Sequence, residues 1–181
     1  MKIWVWIVAA VALIGLLVGA WFLYDSLKDT ITPETQNGET QGAQTRAAPE
    51  ITVYDPEGNP VKLSDMQGKP VVLNVWASWC GPCKQEMPGF QAAYEKYDGQ
   101  LQFMMVNLIG QDKLEDAQAL LEQTGYTFPV YYDTDNAAAM NYNTGSIPAT
   151  FFIDKDGNLV TYAIGAISEA VLEQGIGMIM E

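Results

Sequence analysis

The sequence predicts an α/β domain carried behind a membrane-spanning helix. Three observations lead there. Residues 3–24 form an uncharged apolar run. From residue 50 onward, apolar strand-forming runs alternate with segments of helical spacing. In the middle, Val71-Val72-Leu73-Asn74-Val75-Trp76 leads through Ala77-Ser78 into Trp79-Cys80-Gly81-Pro82-Cys83. A continuous apolar run bounded by turn residues suits a buried strand, and Pro82 suits the first turn of a helix.

Taken in order, Ile3 to Tyr24 is dense in Val, Ile, Leu, Ala, Trp and Phe. As a helix rising ~1.5 Å per residue it would cross a hydrocarbon core of about 30 Å. A cleaved secretory signal is the alternative. Such signals have a shorter apolar region and a small-residue cleavage site, whereas Trp21-Phe22-Leu23-Tyr24 closes this one. We therefore expect an uncleaved anchor over residues 1–24. Lys2 before the span, and Asp25, Lys28 and Asp29 after it, place the N-terminus in the cytoplasm and the domain outside. Residues 25–49 are rich in Thr, Gln, Glu, Gly, Asn and Pro and read as a flexible tether. The domain then occupies residues 50–181.

Residues 51–54 and 61–63 flank Pro56-Glu57-Gly58-Asn59-Pro60 and predict a β-hairpin. After the central strand, residues 84–97 are expected as helix, with Pro88 inside. Residues 101–108 form the next strand, in which Met104 and Met105 read as packing residues. Leu114, Ala117, Leu120 and Leu121 have helical spacing within 112–124. A short strand over 128–132 and a short helix over 137–142 follow. Strands over 149–153 and 159–163 flank Asp154-Lys155-Asp156-Gly157-Asn158. Its alternating oxygens resemble calcium ligands, but the bidentate Glu of such a loop is missing, so it reads as a hairpin turn. Ser168 caps a last helix over 169–180.

Composition removes several functions. A net charge of -13 leaves no basic patch for nucleic acid. The chain has two cysteines and no histidine. That argues against zinc, unless two chains share a site. It also excludes a Cys–His nucleophile. Covalent haem attachment needs His after the second cysteine, where Lys84 stands. No metal or other cofactor is expected. Redox chemistry or a structural disulfide remains. Cross-linking so short a loop stabilises by only ~2 kcal/mol before strain, and a domain of roughly 130 residues does not need it. A cysteine at a helix N-terminus has its thiolate favoured by unpaired N–H groups and the helix dipole. Cys80, beside an exposed Trp79, is the expected attacking nucleophile. Cys83, one turn on, is the resolving thiol.

Trp79-Cys80-Gly81-Pro82-Cys83 matches the thioredoxin active-site motif. The wider segment, Leu63 to Pro70 through to Lys84-Gln85-Glu86-Met87-Pro88, resembles the membrane-anchored extracytoplasmic TlpA/ResA-like thiol–disulfide oxidoreductases. The resemblance implies a thioredoxin-like fold: a central mixed sheet flanked by helices, with an N-terminal β-hairpin and an inserted αβ unit over residues 112–132. It implies a cis bond at Ile147-Pro148, with Pro148 beside the sulfurs and the Ile147 backbone offered to a substrate strand. Cytoplasmic thioredoxin has a buried Asp where Asn74 stands. ResA-like members carry instead a carboxylate three residues beyond the second cysteine, here Glu86. Glu86 is expected to tune the cysteines or pass protons; an ordinary exposed Glu is the alternative. Gly-Pro between the cysteines is the reductant's dipeptide, as in thioredoxin at about −270 mV against about −120 mV for DsbA.

The resemblance thus implies an enzyme that reduces disulfide-bearing proteins outside the membrane, fed by a CcdA-like membrane electron donor. Its expected substrate is the cysteine pair of apocytochrome c. Electron supply to a methionine sulfoxide reductase or peroxidase, reduction of a spore-envelope target, an oxidase, and a non-catalytic binding module are the alternatives.

Overall fold

The computed structural model describes Val18 and residues 46–181. The expected anchor, and the tether up to residue 45, lie outside the described residues. Among the described residues no helix is long and apolar enough to cross a membrane.

Residues 46–181 build one mixed sheet of eight strands. In chain order these are β1 (Arg46–Ala47), β2 (Thr52–Tyr54), β3 (Pro60–Lys62), β4 (Val71–Trp76), β5 (Gln102–Asn107), β6 (Val130–Tyr132), β7 (Ala149–Ile153) and β8 (Asn158–Ile164). Across the sheet they lie β1-β8-β7-β4-β5-β6-β2-β3. Strands β4, β5 and β6 run parallel, and β7 returns antiparallel to β4. Within residues 46–181, four α-helices accompany them, α1 (Gly81–Lys96), α2 (Leu114–Thr124), α3 (Ala137–Asn141) and α4 (Glu169–Ile179), with one 3-10 turn over Leu63–Met66. The thioredoxin-like architecture, the hairpin β2–β3 and the inserted unit α2–β6 are all present.

Strand β4 is buried along its whole length, as a parallel strand covered on both faces must be. Its side chains alternate between two cores. Val72 and Trp76 join Met87 and Phe90 of α1 and Leu172 and Ile176 of α4. Val71, Leu73 and Val75 join Leu63, Met66 and, from the α3 region, Ala138 and Tyr142. Asn74 therefore points to the α1 side, into a mostly apolar layer.

Several boundaries differ from the sequence reading. Arg46–Ala47, inside the expected tether, pairs with Asn158 and Leu159 of β8. Two residues joined through backbone leave no hydropathy pattern to find. Helix α1 starts at Gly81, not residue 84, because Cys80 already serves as its N-cap. Strand β6 is shorter than expected: Pro129, with no N–H, contributes only its carbonyl, which accepts from Met105 N at 3.2 Å. The loop after β7 is a turn: Asp154 Oδ1 accepts from Asp156 N and Asn158 N, and Gly157 takes φ 83°.

Helix α4 crosses β7 at Gly175. A Cβ there would stand 2.3 Å from Cζ of Phe152, a ring that is itself buried. Helix propensity alone favours Ala over Gly by about 1 kcal/mol. The clash opposes it, and overpacking a fixed aromatic costs about 1–3 kcal/mol or more. Gly175→Ala is therefore expected to lower stability by up to about 2 kcal/mol net in urea unfolding of the full chain.

Candidate active site

The cysteine pair sits where β4 ends and α1 begins. Cys80 has extended backbone (φ -78°, ψ 107°), and its sulfur accepts from Cys83 N at 3.2 Å. The sulfur thus occupies the N-cap position, where the first amides of α1 converge and favour negative charge. Pro82 lies in the first turn, as expected. Cys80 and Cys83 are joined in a disulfide with their Cα atoms 5.3 Å apart. Cys83 is fully enclosed, Cys80 is 4% exposed, and neighbouring Trp79 is 58% exposed.

A second segment closes over Cys80. The Ile147–Pro148 peptide is cis, as the resemblance implied, and the Ile147 carbonyl oxygen lies 3.9 Å from Cys80 Sγ. Gly165 N donates to the Pro148 carbonyl at 2.8 Å. The register of Ala149 against both Val75 and Ile164 brings this loop to the C-terminal end of β4. Trp79, Cys80, Ile147 and Pro148 thus gather at one end of the sheet.

Glu86 lies one turn beyond Cys83 on α1. It is buried, not the exposed surface group that was the alternative. Its Oε1 accepts from Asn74 Nδ2 at 2.9 Å and its Oε2 from Ile167 N at 2.9 Å. Asn74 Nδ2 also donates to Thr150 Oγ1 at 3.0 Å. Burial pushes the Glu86 carboxyl up to about 7; the hydrogen bonds from Ile167 and Asn74 pull the other way without cancelling it. The chain therefore replaces a carboxylic acid on the strand with an amide on the strand and a carboxylic acid on the helix.

One residue that the sequence reading left unassigned belongs to this neighbourhood. Asp112 Oδ1 accepts from Ser78 Oγ at 2.6 Å and Lys113 N at 2.8 Å. Its Oδ2 accepts from Ser78 N and from Asn107 Nδ2, the latter at 2.9 Å. Burial raises its carboxyl, but these bonds outweigh that, and its pKa lies below the usual carboxylate value. An Asp just ahead of a helical run signals only a helix start, so its reach back to Ser78 leaves no local pattern. Among the described residues, no three His, Cys, Asp or Glu side chains stand together as metal ligands.

Comparison with known proteins agrees with this geometry. The AhpC/TSA family model matches residues 45–162. The chain is 36% identical over 128 residues to the thiol-disulfide oxidoreductase ResA of Geobacillus kaustophilus, covering 70% of this chain and 72% of that one. It is 31% identical over 169 residues to the thioredoxin-like protein YneN of Bacillus subtilis, covering 92% and 94%. Among solved structures, a thiol:disulfide interchange protein DsbE from Chlorobium tepidum superposes with a TM-score of 0.70 at 32% identity, covering 78% of this chain and 100% of that one.

Proposed function

Because the chain belongs to the AhpC/TSA family of thioredoxin-like proteins and is a thiol–disulfide oxidoreductase of the ResA and DsbE kind, we propose that it works as a reductase. The domain is held outside the cytoplasmic membrane by residues 1–24 and reduces disulfides in other extracytoplasmic proteins. The cysteine pair of apocytochrome c is the proposed substrate, and a CcdA-like membrane protein the electron donor.

In the proposed cycle the Cys80 thiolate attacks the substrate disulfide, forming a mixed disulfide and releasing one substrate thiolate. Cys83 then loses its proton and attacks Cys80 Sγ. The second substrate thiolate leaves, and the Cys80–Cys83 bond remains. Two electrons pass to the substrate, and the donor returns them. Trp79 and the Ile147–Pro148 segment hold the substrate chain beside Cys80. Glu86 serves the second step, since a carboxyl titrating near 7 can exchange a proton with its neighbour on the same helix face.

The observation that carries the direction is Glu86 buried one turn behind Cys83, with only Gly81-Pro82 between the cysteines. A reductant must hold its own disulfide more firmly than its substrates hold theirs. A buried carboxylate opposes a thiolate beside it, and no histidine in the chain stabilises one. Both features withhold thiolate stabilisation from the reduced form and so lower the potential. Equilibration with dithiothreitol redox buffers is expected to give a value near thioredoxin's, about −270 mV. A value near DsbA's, about −120 mV, would reverse the direction.

A further inference from the structure

The loop between β5 and α2 grips the residues just before Cys80 in two parallel contacts. Asp112 holds Ser78 through both its backbone N–H and its hydroxyl. The carbonyl of Gln111 accepts from Trp79 Nε1 at 3.0 Å. The loop is itself braced from the far side. Gln111 Nε2 donates to Asn136 Oδ1 at 3.1 Å, and Gly110 N donates to the Asp133 carbonyl at 3.3 Å. Gly110 lies so close to Asn136 that a Cβ would come within 2.7 Å of its Nδ2. Asp133 in turn accepts from Ala137 N and Ala138 N, anchoring the start of α3.

If Asp112 served only the start of α2, the bond from Lys113 N would suffice. Its other three donors come from Ser78 and Asn107, outside that helix. The Ser78 they hold leads directly into Trp79, whose ring is bonded to the adjacent Gln111 carbonyl and is more than half exposed. A ring in water gains little for the fold by keeping one orientation. It matters to a molecule that lands on it, because an ordered platform lowers the ordering cost of binding.

We propose that Asp112 is a positioning residue for polypeptide substrates: it fixes the Ser78–Trp79 segment so that the Trp79 ring stands ready beside Cys80. This depends only on thiol–disulfide exchange, not on the direction or the substrate proposed above.

The test uses the reduced full chain in detergent micelles and two reagents with one leaving group. One is an apolar cysteine-containing peptide carrying thionitrobenzoate in disulfide linkage; the other is free cysteine carrying the same group. Cys80 attacks the peptide or amino-acid sulfur, the S–S bond breaks, and coloured thionitrobenzoate departs. The reaction proceeds whatever the protein's own potential. Asp112→Ala is expected to slow the peptide reaction about tenfold and the cysteine reaction less than about twofold, a scale set by small misplacements at reacting centres. In a Trp79→Ala background the same substitution should cost less than about twofold further, since the two act through one contact. Asp112→Asn, which keeps one acceptor oxygen but turns an NH2 group toward a backbone N–H on its other side, should recover only part of the rate. Should Asp112→Ala fail to fold, Ser78→Ala, which removes only the hydroxyl donor, should give a smaller peptide-selective loss. Equal losses on both reagents, no loss on either, or a tenfold loss that persists without Trp79 would overturn the proposal.

Discussion

Cys83→Ala is expected to turn the protein from a catalyst into a trap. Cys80 is the sulfur that faces Ile147 across 3.9 Å, while Cys83 is wholly enclosed behind it. An incoming disulfide therefore meets Cys80 first, and only Cys83 can release it again. Without Cys83, multiple-turnover insulin reduction should fall by roughly three orders of magnitude or more, the scale on which losing a member of a catalytic pair acts. A stable mixed disulfide should accumulate and be visible on non-reducing gels. Cys80→Ala should abolish turnover equally and capture nothing. Both variants should fold, because the fold buries two full apolar layers and the cross-link closes only a short loop. Adducts forming on Cys83 in Cys80→Ala would invert the assigned roles. In cells, the partners held by Cys83→Ala would identify the substrate and test the proposal of apocytochrome c.

The central strand, the cysteine motif and the helix N-terminus were legible because each is written in neighbouring residues. The strand formers of Val71–Trp76, broken only by Asn74, and proline in the first helical turn are local features, and the structure places them accordingly. The cis bond before Pro148 was not legible from its own surroundings; it came only with the family pattern. The contacts that finish the site join distant stretches. Cys80 meets Ile147, Asn74 meets Thr150, and Glu86 meets Ile167, separated by 67, 76 and 81 residues. The helical i, i+3 rule put Glu86 on the face of Cys83 but said nothing of Asn74, which reaches it from a strand. Asp112 escaped for the same reason, since its partner Ser78 lies across two parallel strands. Arg46–Ala47 escaped for another: an edge pair held by backbone alone carries no side-chain pattern.

Glu86→Gln is expected to stabilise the protein in base and leave it unchanged in acid. The unfolded chain releases the Glu86 proton near the ordinary value of 4.5, whereas the folded protein keeps it until about 7. Below 4.5 both states are protonated and this group contributes no difference. Between 4.5 and 7 the unfolded state ionises while the native state does not, so native stability declines as pH rises. Above 7 both are ionised and the deficit is constant, about 3 kcal/mol for a shift of this size. Gln does not titrate, so it removes that deficit. Its carbonyl oxygen can still accept from Ile167 N, and Asn74 can turn its amide to accept from the new NH2 group. The variant should therefore exceed the wild type by about 2–3 kcal/mol in urea unfolding at pH 8 and match it at pH 4. The same substitution removes a negative charge one turn from Cys83, so the apparent thiol titration should move to lower pH and the reduction potential should rise. A stability difference that does not vary with pH would mean that Glu86 ionises in its ordinary range. Its proposed part in the second exchange step would then fail, while the trapping behaviour of Cys83→Ala would stand.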